Sequence, residues 1–352
     1  GDPAFAAYLR RSFARSMGYS SELLARPIVG ICTTGSDLNN CHRGMGELVE
    51  AVKRGVLAAG GLPLAFPVTS LGEPFLTPTS LLYRNLTAID VEELIRAQPL
   101  DSVVLAGGCD KTVPALAVSA GRPSILLVTG PMSTGRWRGE RLGACTDCRR
   151  FWAQYRAGTV SEAEIAEIEA NLATTAGTCA VMGTASTMAI LMEAMGFMLP
   201  GTAAIPAVHA DRLRAAEATG RRAVGLVGSS LTPDRLVTPG SLRNALTVLM
   251  AVGGSTNAMV HLPAIAGRVG LKIDPDEVNA ISDATPVLVD LKPTGTAYME
   301  DFHSSGGVPA VLRRLADRLE LAVPVIEGGT LASRITEAWD DPATIRPLVH
   351  PI

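Results

Sequence analysis

Aromatic side chains are scarce in this sequence. Its 352 residues include three tryptophans, five tyrosines and seven phenylalanines, which is 4% of the chain. So few rings do not provide the row of stacking surfaces on which single-stranded nucleic acids are bound. A large charge of one sign is also missing, since the formal net charge is −3. No overall field attracts nucleic acid or an acidic membrane, so neither is an expected partner.

Long apolar runs are missing too. The most apolar stretch, residues 179–208, contains Glu193, Gly196, Pro200, Gly201 and Pro206, so we interpret it as buried helix and loop rather than a membrane span. Near the beginning, arginines at positions 10, 11 and 15 interrupt any signal-peptide pattern. The expected compartment is the cytoplasm, where the six cysteines stay reduced instead of forming a disulfide framework.

Hydrophobic residues nevertheless make up 47% of the chain, and short β-rich runs alternate with longer helical patterns. This alternation predicts an α/β fold with a parallel β-sheet flanked by helices. The predicted strands are residues 27–32, 62–68, 102–106 and 124–129 and, late in the chain, 287–291. The predicted helices are residues 43–59, 79–97 (with a break near Thr87, where Thr87 and Asp90 fit a capping box), 161–174 (where Ser161 can cap the helix and Glu164 fits the capping box), 186–195, 209–219, 241–269 (broken at Gly253-Gly254) and 308–319. Residues 129–141 are predicted to form a long loop.

Three polar or small-residue segments each contain one cysteine. Cys41 ends the segment that follows the first strand, Cys109 lies in GGCDKTVP after the third strand, and Cys179 lies in GTCAVMGTASTM. Ligands of open parallel sheets bind at the carboxyl ends of the strands. A free cysteine is often only a small buried apolar residue, and for each thiol that alternative remains open. Three dispersed thiolates could also hold an iron–sulfur cluster and leave one iron free as a Lewis acid.

Cys145 and Cys148 form a CxxC motif, which is typical of a redox pair or of half a zinc site. No second CxxC or paired-histidine motif completes a zinc site, and the predicted pattern does not place this motif at the start of a helix after a strand. We therefore interpret it as structural, with a dithiol redox protein as the alternative.

Several motifs together resemble the dihydroxy-acid and sugar-acid dehydratase family. They are TGSDL…C (34–41), GGCDKTVP (107–114), GTCAVMGTASTM (177–188), GGSTNAMVHL (253–262) and FHSSGGVPA (302–310). Two further segments, SLGEPF (70–75) and LGACTDCRRF (142–151), resemble the pentonate branch of that family. The resemblance extends from about residue 30 to the end of the chain, and it favours the N-terminal domain of such an enzyme.

The resemblance implies a hydro-lyase that removes water from a 2,3-dihydroxy carboxylic acid, expected to be a pentonate such as L-arabinonate, and gives a 2-keto-3-deoxy acid. It also implies an iron–sulfur cluster, [2Fe–2S] rather than [4Fe–4S], and a Mg²⁺ ion. The cluster ligands would be Cys41, Cys109 and Cys179. The Mg²⁺ site would be formed by Glu73, Asp110 and Lys111, with Lys111 also catalytic and carbamylated into an anionic ligand.

The same resemblance implies substrate contacts from Ser255, Thr256 and Asn257, while His261 and His303 belong to matching segments. His42, next to Cys41, could form a hydrogen bond with a cluster sulfur. The alternatives are a dihydroxy-acid dehydratase of branched-chain amino-acid synthesis and a non-catalytic metal-binding module.

The resemblance also has consequences for assembly and domain organisation. In the family the active site lies at a subunit interface, which implies a homodimer or a dimer of dimers acting on a small-molecule sugar acid. Residues 1–352 would form one cluster-bearing domain, with residues 1–26 as a helical extension. Residues 340–352 would begin the linker to a C-terminal β-barrel-like domain that supplies one more Mg²⁺ ligand and a serine base, and that we expect to be absent here.

Overall fold

Four parallel strands form the central sheet of the computed structural model, which describes residues 2–117, 121–337 and 339–352. The strands are β1 (Ile28–Thr33), β2 (Leu62–Pro67), β3 (Ser102–Gly107) and β4 (Ser124–Val128), in the order β2-β1-β3-β4. Each lies within one residue of its predicted bounds. β3 is buried along its whole length because both of its sides are paired and both of its faces are covered, which is why the sequence has an uninterrupted apolar run there.

Helices make up most of the remaining chain. In chain order they are α1 (Pro3–Ser16), α2 (Met45–Ala58), α3 (Arg84–Ala97), α4 (Thr112–Leu116), α5 (Asp147–Arg156), α6 (Glu162–Leu172), α7 (Thr184–Ala194), α8 (Ala210–Gly225), α9 (Pro233–Leu236), α10 (Pro239–Ala251), α11 (Ala258–Arg268), α12 (Pro275–Ala284), α13 (Met299–Ser304) and α14 (Gly307–Arg314). α2 and α8 pack on each other and both contact the sheet, while α1 has no buried residue. The predicted α/β architecture is confirmed.

α7 is the centre of the helical layer. All its residues from 185 to 194 are buried, and α4, α10, α11 and α14 pack around it. The apolar stretch 179–208 is therefore core rather than a membrane span, and no helix among the described residues has the length and apolar character needed to cross a bilayer.

Several local predictions were wrong. Residues 287–291 form only isolated bridges, Val289 with Ile345 and Leu291 with Ala297, because no strand among the described residues runs beside this apolar run. α3 continues through Thr87, which is buried within it. The change in helix type lies earlier, where a 3₁₀ turn at Ser80–Tyr83 leads into α3.

The region predicted as a long loop, 129–141, contains regular structure. Its second half forms β5 (Gly135–Trp137), which pairs antiparallel with β6 (Glu140–Leu142). The capping box of α6 is confirmed, since Ser161 and Glu164 bond each other's backbone N–H groups. The break at Gly253 is also confirmed, with φ at +58° between α10 and α11.

α2 and α8 approach each other through two glycines. A Cβ on Gly55 would lie 1.9 Å from the carbonyl oxygen of Glu217, and a Cβ on Gly220 would lie 2.2 Å from that of Val52. Both contacts are with backbone, which cannot turn away as a side chain does. We therefore expect Gly55→Ala to lower the free energy of unfolding by about 1–3 kcal/mol or more, measured by urea denaturation.

Gly46→Ala is the matched control in the same helix. Gly46 is exposed and a Cβ there would meet no atom within 4 Å, so alanine should stabilise the helix by about 0.5–1 kcal/mol. Equal effects of the two substitutions would contradict the close approach of α2 and α8.

Candidate functional site

The loops that leave the carboxyl ends of β1, β2 and β3 carry all the candidate metal ligands except Cys179, which lies in the loop before α7. Cys41 lies in a 3₁₀ turn whose first N–H groups are capped by the Asn39 side chain, which accepts from the Cys41 N–H at 3.2 Å. Cys109 has a left-handed backbone conformation, with φ at +65°. Gly108 just before it packs so closely that a Cβ would lie 2.0 Å from Oγ1 of Thr129. These tight turns hold the two thiols at one edge of the sheet.

The thiols of Cys41, Cys109 and Cys179 are neighbours. The Cys109 thiol and burial raise the pKa of Cys41, and the Cys179 thiol raises it further. The Cys145 thiol, burial and Cys109 raise the pKa of Cys179. Segments that are far apart in sequence therefore bring their cysteines to one place, although the role of these cysteines as cluster ligands stays a prediction.

Cys145 adds a fourth thiol to this group. Its hydrogen bond with Cys179 lowers the pKa of Cys145, and its backbone φ is +78°. The CxxC motif does lie at a helix start, because Cys148 is in the first turn of α5 just after β6, so that expectation was wrong. Its first cysteine contacts a thiol outside the motif, which a simple CxxC redox pair does not require.

The ring of His42, which could have bonded a cluster sulfur, is used within the protein instead. Its Nε2 accepts the backbone N–H of Gly108 at 2.8 Å, and its Nδ1 lies 2.7 Å from the carbonyl oxygen of Thr34, to which it donates. Burial lowers the pKa of His42, so the ring is neutral. Both ring nitrogens bind backbone groups, and the ring links the loop of Cys41 to the loop of Cys109.

Glu73, Asp110 and Lys111 form one ionic cluster. Nζ of Lys111 lies 2.5 Å from Asp110 Oδ2 and 3.3 Å from Glu73 Oε2, and the Lys111 side chain is only 8% exposed. Burial lowers the pKa of Lys111, but the hydrogen bonds and charges of the two carboxylates outweigh this and raise it. Burial raises the pKa of Glu73, but hydrogen bonds from Ser80 and the charge of Lys111 hold it below its ordinary value.

Asp110 connects the ionic cluster to the thiols. Its carboxylate binds Lys111 and lies 3.5 Å from the Sγ of Cys109. Its charge also raises the pKa values of Cys41 and Cys179. The two predicted metal-ligand sets therefore belong to a single site.

Ser255, Thr256 and Asn257 lie in the break between α10 and α11, against the start of α7. Oγ of Ser255 is 2.9 Å from Oγ1 of Thr184, and Nδ2 of Asn257 donates to the same Oγ1 at 2.9 Å. Thr256 and Asn257 are exposed, so their remaining polar groups can reach a ligand. The segment is joined through α7 to the loop of Cys179.

His303 lies beside His209, with their ring centroids 5.7 Å apart, and His209 lines a cavity together with Cys41. Together with Asp211, these histidines are the one group of three metal-ligating side chains among the described residues whose ligand atoms all lie within 4.8 Å of one another. They surround the N-terminus of α8, where the helix dipole disfavours a cation, and Asp211 is paired with Arg214. We assign no metal to them.

Sequence reasoning missed two sets of supporting residues. Thr79 and Ser80 donate hydrogen bonds to the carboxylate of Glu73. Arg84 lies 3.0 Å from Nδ1 of His261, and that ring feels the charge of Lys111. No motif indicated either contact, because each depends on how α3 and its preceding turn pack against the site.

Stability should fall in acid because of His261. Burial, together with the charges of Arg84 and Lys111, lowers its pKa to about 4. An unfolded histidine has a pKa of about 6.5, so between pH 7 and 4 the unfolded chain binds a proton that the folded chain does not. The free energy of unfolding should therefore decrease as the pH falls, as measured by urea denaturation at pH 7.5, 6.5 and 5.5.

His261→Gln should decrease less steeply over the same range, because one of the buried neutral histidines is gone. His42 acts in the same direction and remains in both proteins. Parallel curves for the two proteins would contradict the lowered pKa of His261.

Comparison with known proteins agrees with these motifs. Residues 26–334 match the family model described as Dihydroxy-acid/6-phosphogluconate dehydratase N-terminal. An L-arabinonate dehydratase of Rhizobium leguminosarum is 45% identical over 87% of this chain and 54% of its own length. A 6-deoxy-6-sulfo-D-gluconate dehydratase of Pseudomonas putida is 41% identical over 98% of this chain and 61% of its own length.

A dihydroxy-acid dehydratase of Caldicellulosiruptor bescii is 36% identical over 97% of this chain and 64% of its own length. The chain thus spans about 60% of the length of such relatives. The family match covers most of the chain and contains all the cysteine and carboxylate segments of the site. This protein therefore belongs to the dihydroxy-acid/6-phosphogluconate dehydratase family, in the part that corresponds to the N-terminal domain.

Proposed function

We propose that this protein is the cluster-bearing part of a sugar-acid dehydratase. The reaction removes the C2 proton and the C3 hydroxyl of a 2,3-dihydroxy carboxylate as water, and the resulting enol tautomerises to a 2-keto-3-deoxy acid. This elimination of water conserves all atoms and requires neither an oxidant nor a reductant. The observation that carries the proposal is the position of Asp110, whose carboxylate binds Lys111 on one side and lies beside the cysteine thiols on the other.

The thiol set fits an iron–sulfur cluster. Cys41 and Cys109 are buried and Cys179 is half-buried, on three separate loops, and thiolates are the usual ligands of such clusters. Three protein ligands rather than four would leave one iron open to act as a Lewis acid. Oγ1 of Thr129, which lines a cavity with Cys41, has no hydrogen-bond partner among the described residues. An unsatisfied buried hydroxyl of this kind is consistent with a polar occupant nearby.

The carboxylate set fits a hard divalent cation such as Mg²⁺. Oxygen atoms of Glu73 and Asp110 converge on the Nζ of Lys111, which supplies the positive charge between them. Gly72 helps to position Glu73, because a Cβ there would lie 2.4 Å from the carbonyl oxygen of Leu38. The SLGEPF turn is therefore packed against the loop that carries Cys41. Carbamylation of Lys111 would add a third anionic oxygen ligand, and it remains part of this proposal.

The positions of these two ligand sets suggest a role for each group in the reaction. When bound, the cluster and Mg²⁺ would supply Lewis acidity to the leaving 3-hydroxyl and to the carboxylate and 2-hydroxyl. Asp110 and Glu73 would hold charge at fixed positions, because backbone and hydroxyl donors restrain Glu73 and the strand-end turn restrains Asp110. Ser255 and Asn257 would orient the hydroxyl groups of the sugar chain. Lys111 is the residue on which we expect turnover to depend most.

A sugar acid is the favoured substrate class. The relatives named for sugar-acid substrates are 41–45% identical to this chain, against 36% for the dihydroxy-acid dehydratase described above. The branched-chain dihydroxy acid is the second candidate. Within the sugar acids we favour a pentonate such as L-arabinonate, on the strength of the SLGEPF and LGACTDCRRF segments.

We also propose that the protein acts as a homodimer or a dimer of dimers. Large apolar side chains are exposed in the segment that follows Glu73 in sequence, among them Phe75, Leu82 and Leu86. Since an apolar patch next to a polar site is typical of an interface, these side chains support a partner surface there.

Iron binding tests the cluster. We expect the chain, purified without oxygen, to contain iron and acid-labile sulfide and to show a visible charge-transfer band. Cys41→Ser, Cys109→Ser and Cys179→Ser should each lose most of the iron. Cys148→Ser is the control, because its thiol is outside the three-cysteine group, and it should keep the parent's iron content. No iron in the parent after anaerobic reconstitution would refute the cluster.

Turnover tests the reaction. The chain alone and the chain extended by the C-terminal part of the Rhizobium leguminosarum relative should be assayed for 2-keto acid formation from L-arabinonate, 6-deoxy-6-sulfo-D-gluconate and a branched-chain dihydroxy acid. We expect Mg²⁺-dependent turnover of a sugar acid by the extended protein. Lys111→Arg, which keeps the positive charge but cannot be carbamylated, should lower kcat by at least about 100-fold, or about 2.7 kcal/mol. Full activity of that variant would exclude the role proposed for Lys111.

A further inference from the structure

Thr129 lies between the segments that carry two of the cysteines. It directly follows β4, and its backbone N–H donates to the carbonyl oxygen of Gly107 at 3.1 Å. The next residue, Gly130, accepts from the backbone N–H of Thr178 at 2.9 Å. Gly107 is two residues before Cys109, and Thr178 is adjacent to Cys179. Backbone hydrogen bonds therefore fix Thr129 relative to both of these cysteines.

The hydroxyl of Thr129 is buried and unsatisfied. The residue is 3% exposed, and Oγ1 has no hydrogen-bond partner among the described residues. The same Oγ1 lies against Gly108, where a Cβ would be only 2.0 Å away. Glycine at 108 thus leaves room for the hydroxyl beside Cys109.

The third cysteine lines the same cavity as Thr129. Thr129 lines a cavity of about 370 Å³ together with Cys41 and Gly177. The ring of His42, next to Cys41, is not free to serve a ligand, because both its nitrogens bind backbone groups. His209 also lines this cavity, and its Nδ1 accepts the backbone N–H of Asp211 at 3.1 Å. A hydroxyl is both a donor and an acceptor, so Thr129 can donate to a group that enters among the three cysteines.

We propose that the hydroxyl of Thr129 donates a hydrogen bond to a sulfur of the cluster held by Cys41, Cys109 and Cys179. This inference rests on the proposed function, and it makes Thr129 a positioning residue that tunes the cluster. A donor to sulfur stabilises the additional negative charge of the reduced cluster, so it raises the reduction potential. The same bond satisfies a hydroxyl that otherwise remains buried without a partner.

The test compares Thr129→Val, which keeps the shape and removes the donor, with Thr129→Ser, which keeps the donor. Both are measured in the 352-residue chain, prepared without oxygen, by redox titration of the visible band and by the rate of iron loss to a chelator. We expect the valine variant to have a more negative potential and to lose iron several-fold faster. The serine variant should stay near the parent values.

Thr87→Val is the matched control. Thr87 has the same buried and unpartnered hydroxyl, but it lies in α3, which carries no cysteine. Its replacement should leave the potential unchanged. An equal shift in this variant would attribute the effect to general loosening of the fold and overturn the inference.

Other outcomes are equally informative. A valine variant with full iron content and the parent's potential would overturn the inference while leaving the cluster intact. Should the valine variant bind no iron at all, the serine variant decides, because recovery of iron supports the donor and failure to recover contradicts it. Absence of iron in the parent would instead overturn the cluster assignment, and this inference with it.

Discussion

The buried imidazole of His42 is the constraint on which the candidate site depends. It joins the loop after β1 to the loop after β3 by accepting from Gly108 and donating to Thr34. Cys41 directly precedes His42, and Cys109 directly follows Gly108. One neutral ring therefore sets the distance between the two thiols. Because burial lowers its pKa, the ring holds this geometry without carrying a charge that would itself need a partner.

The sheet was largely predictable from the sequence, because a parallel strand buried on both faces produces a short apolar run bounded by turn residues. The same signal failed at residues 287–291, where the apolar run forms only isolated bridges and no strand in the described part of the chain pairs with it. Helix ends with side-chain caps, as at Ser161, were predictable for a local reason. The true start of α3 was not, since it depends on how the preceding turn packs.

The site was predictable as a set of residue types but not as an arrangement. The motifs indicated Cys41, Cys109, Cys179, Glu73, Asp110 and Lys111 together, and the fold brings these residues to one edge of the sheet. The contact of Cys145 with Cys179, the hydroxyls that hold Glu73, and Arg84 beside His261 could not be inferred. Each joins segments whose separation is set by tertiary packing, which no local pattern encodes.

The paired glycines of α2 and α8 limit which substitutions the protein can tolerate during evolution. At most contacts between two helices, a substitution that enlarges one side chain can be compensated by a smaller side chain on the other helix. Gly55 and Gly220 have no side chain to give up, and each meets a carbonyl of the opposite helix. An added methyl group at either position has no compensating replacement at the other, so the two helices can diverge on their outer faces while their crossing point stays fixed.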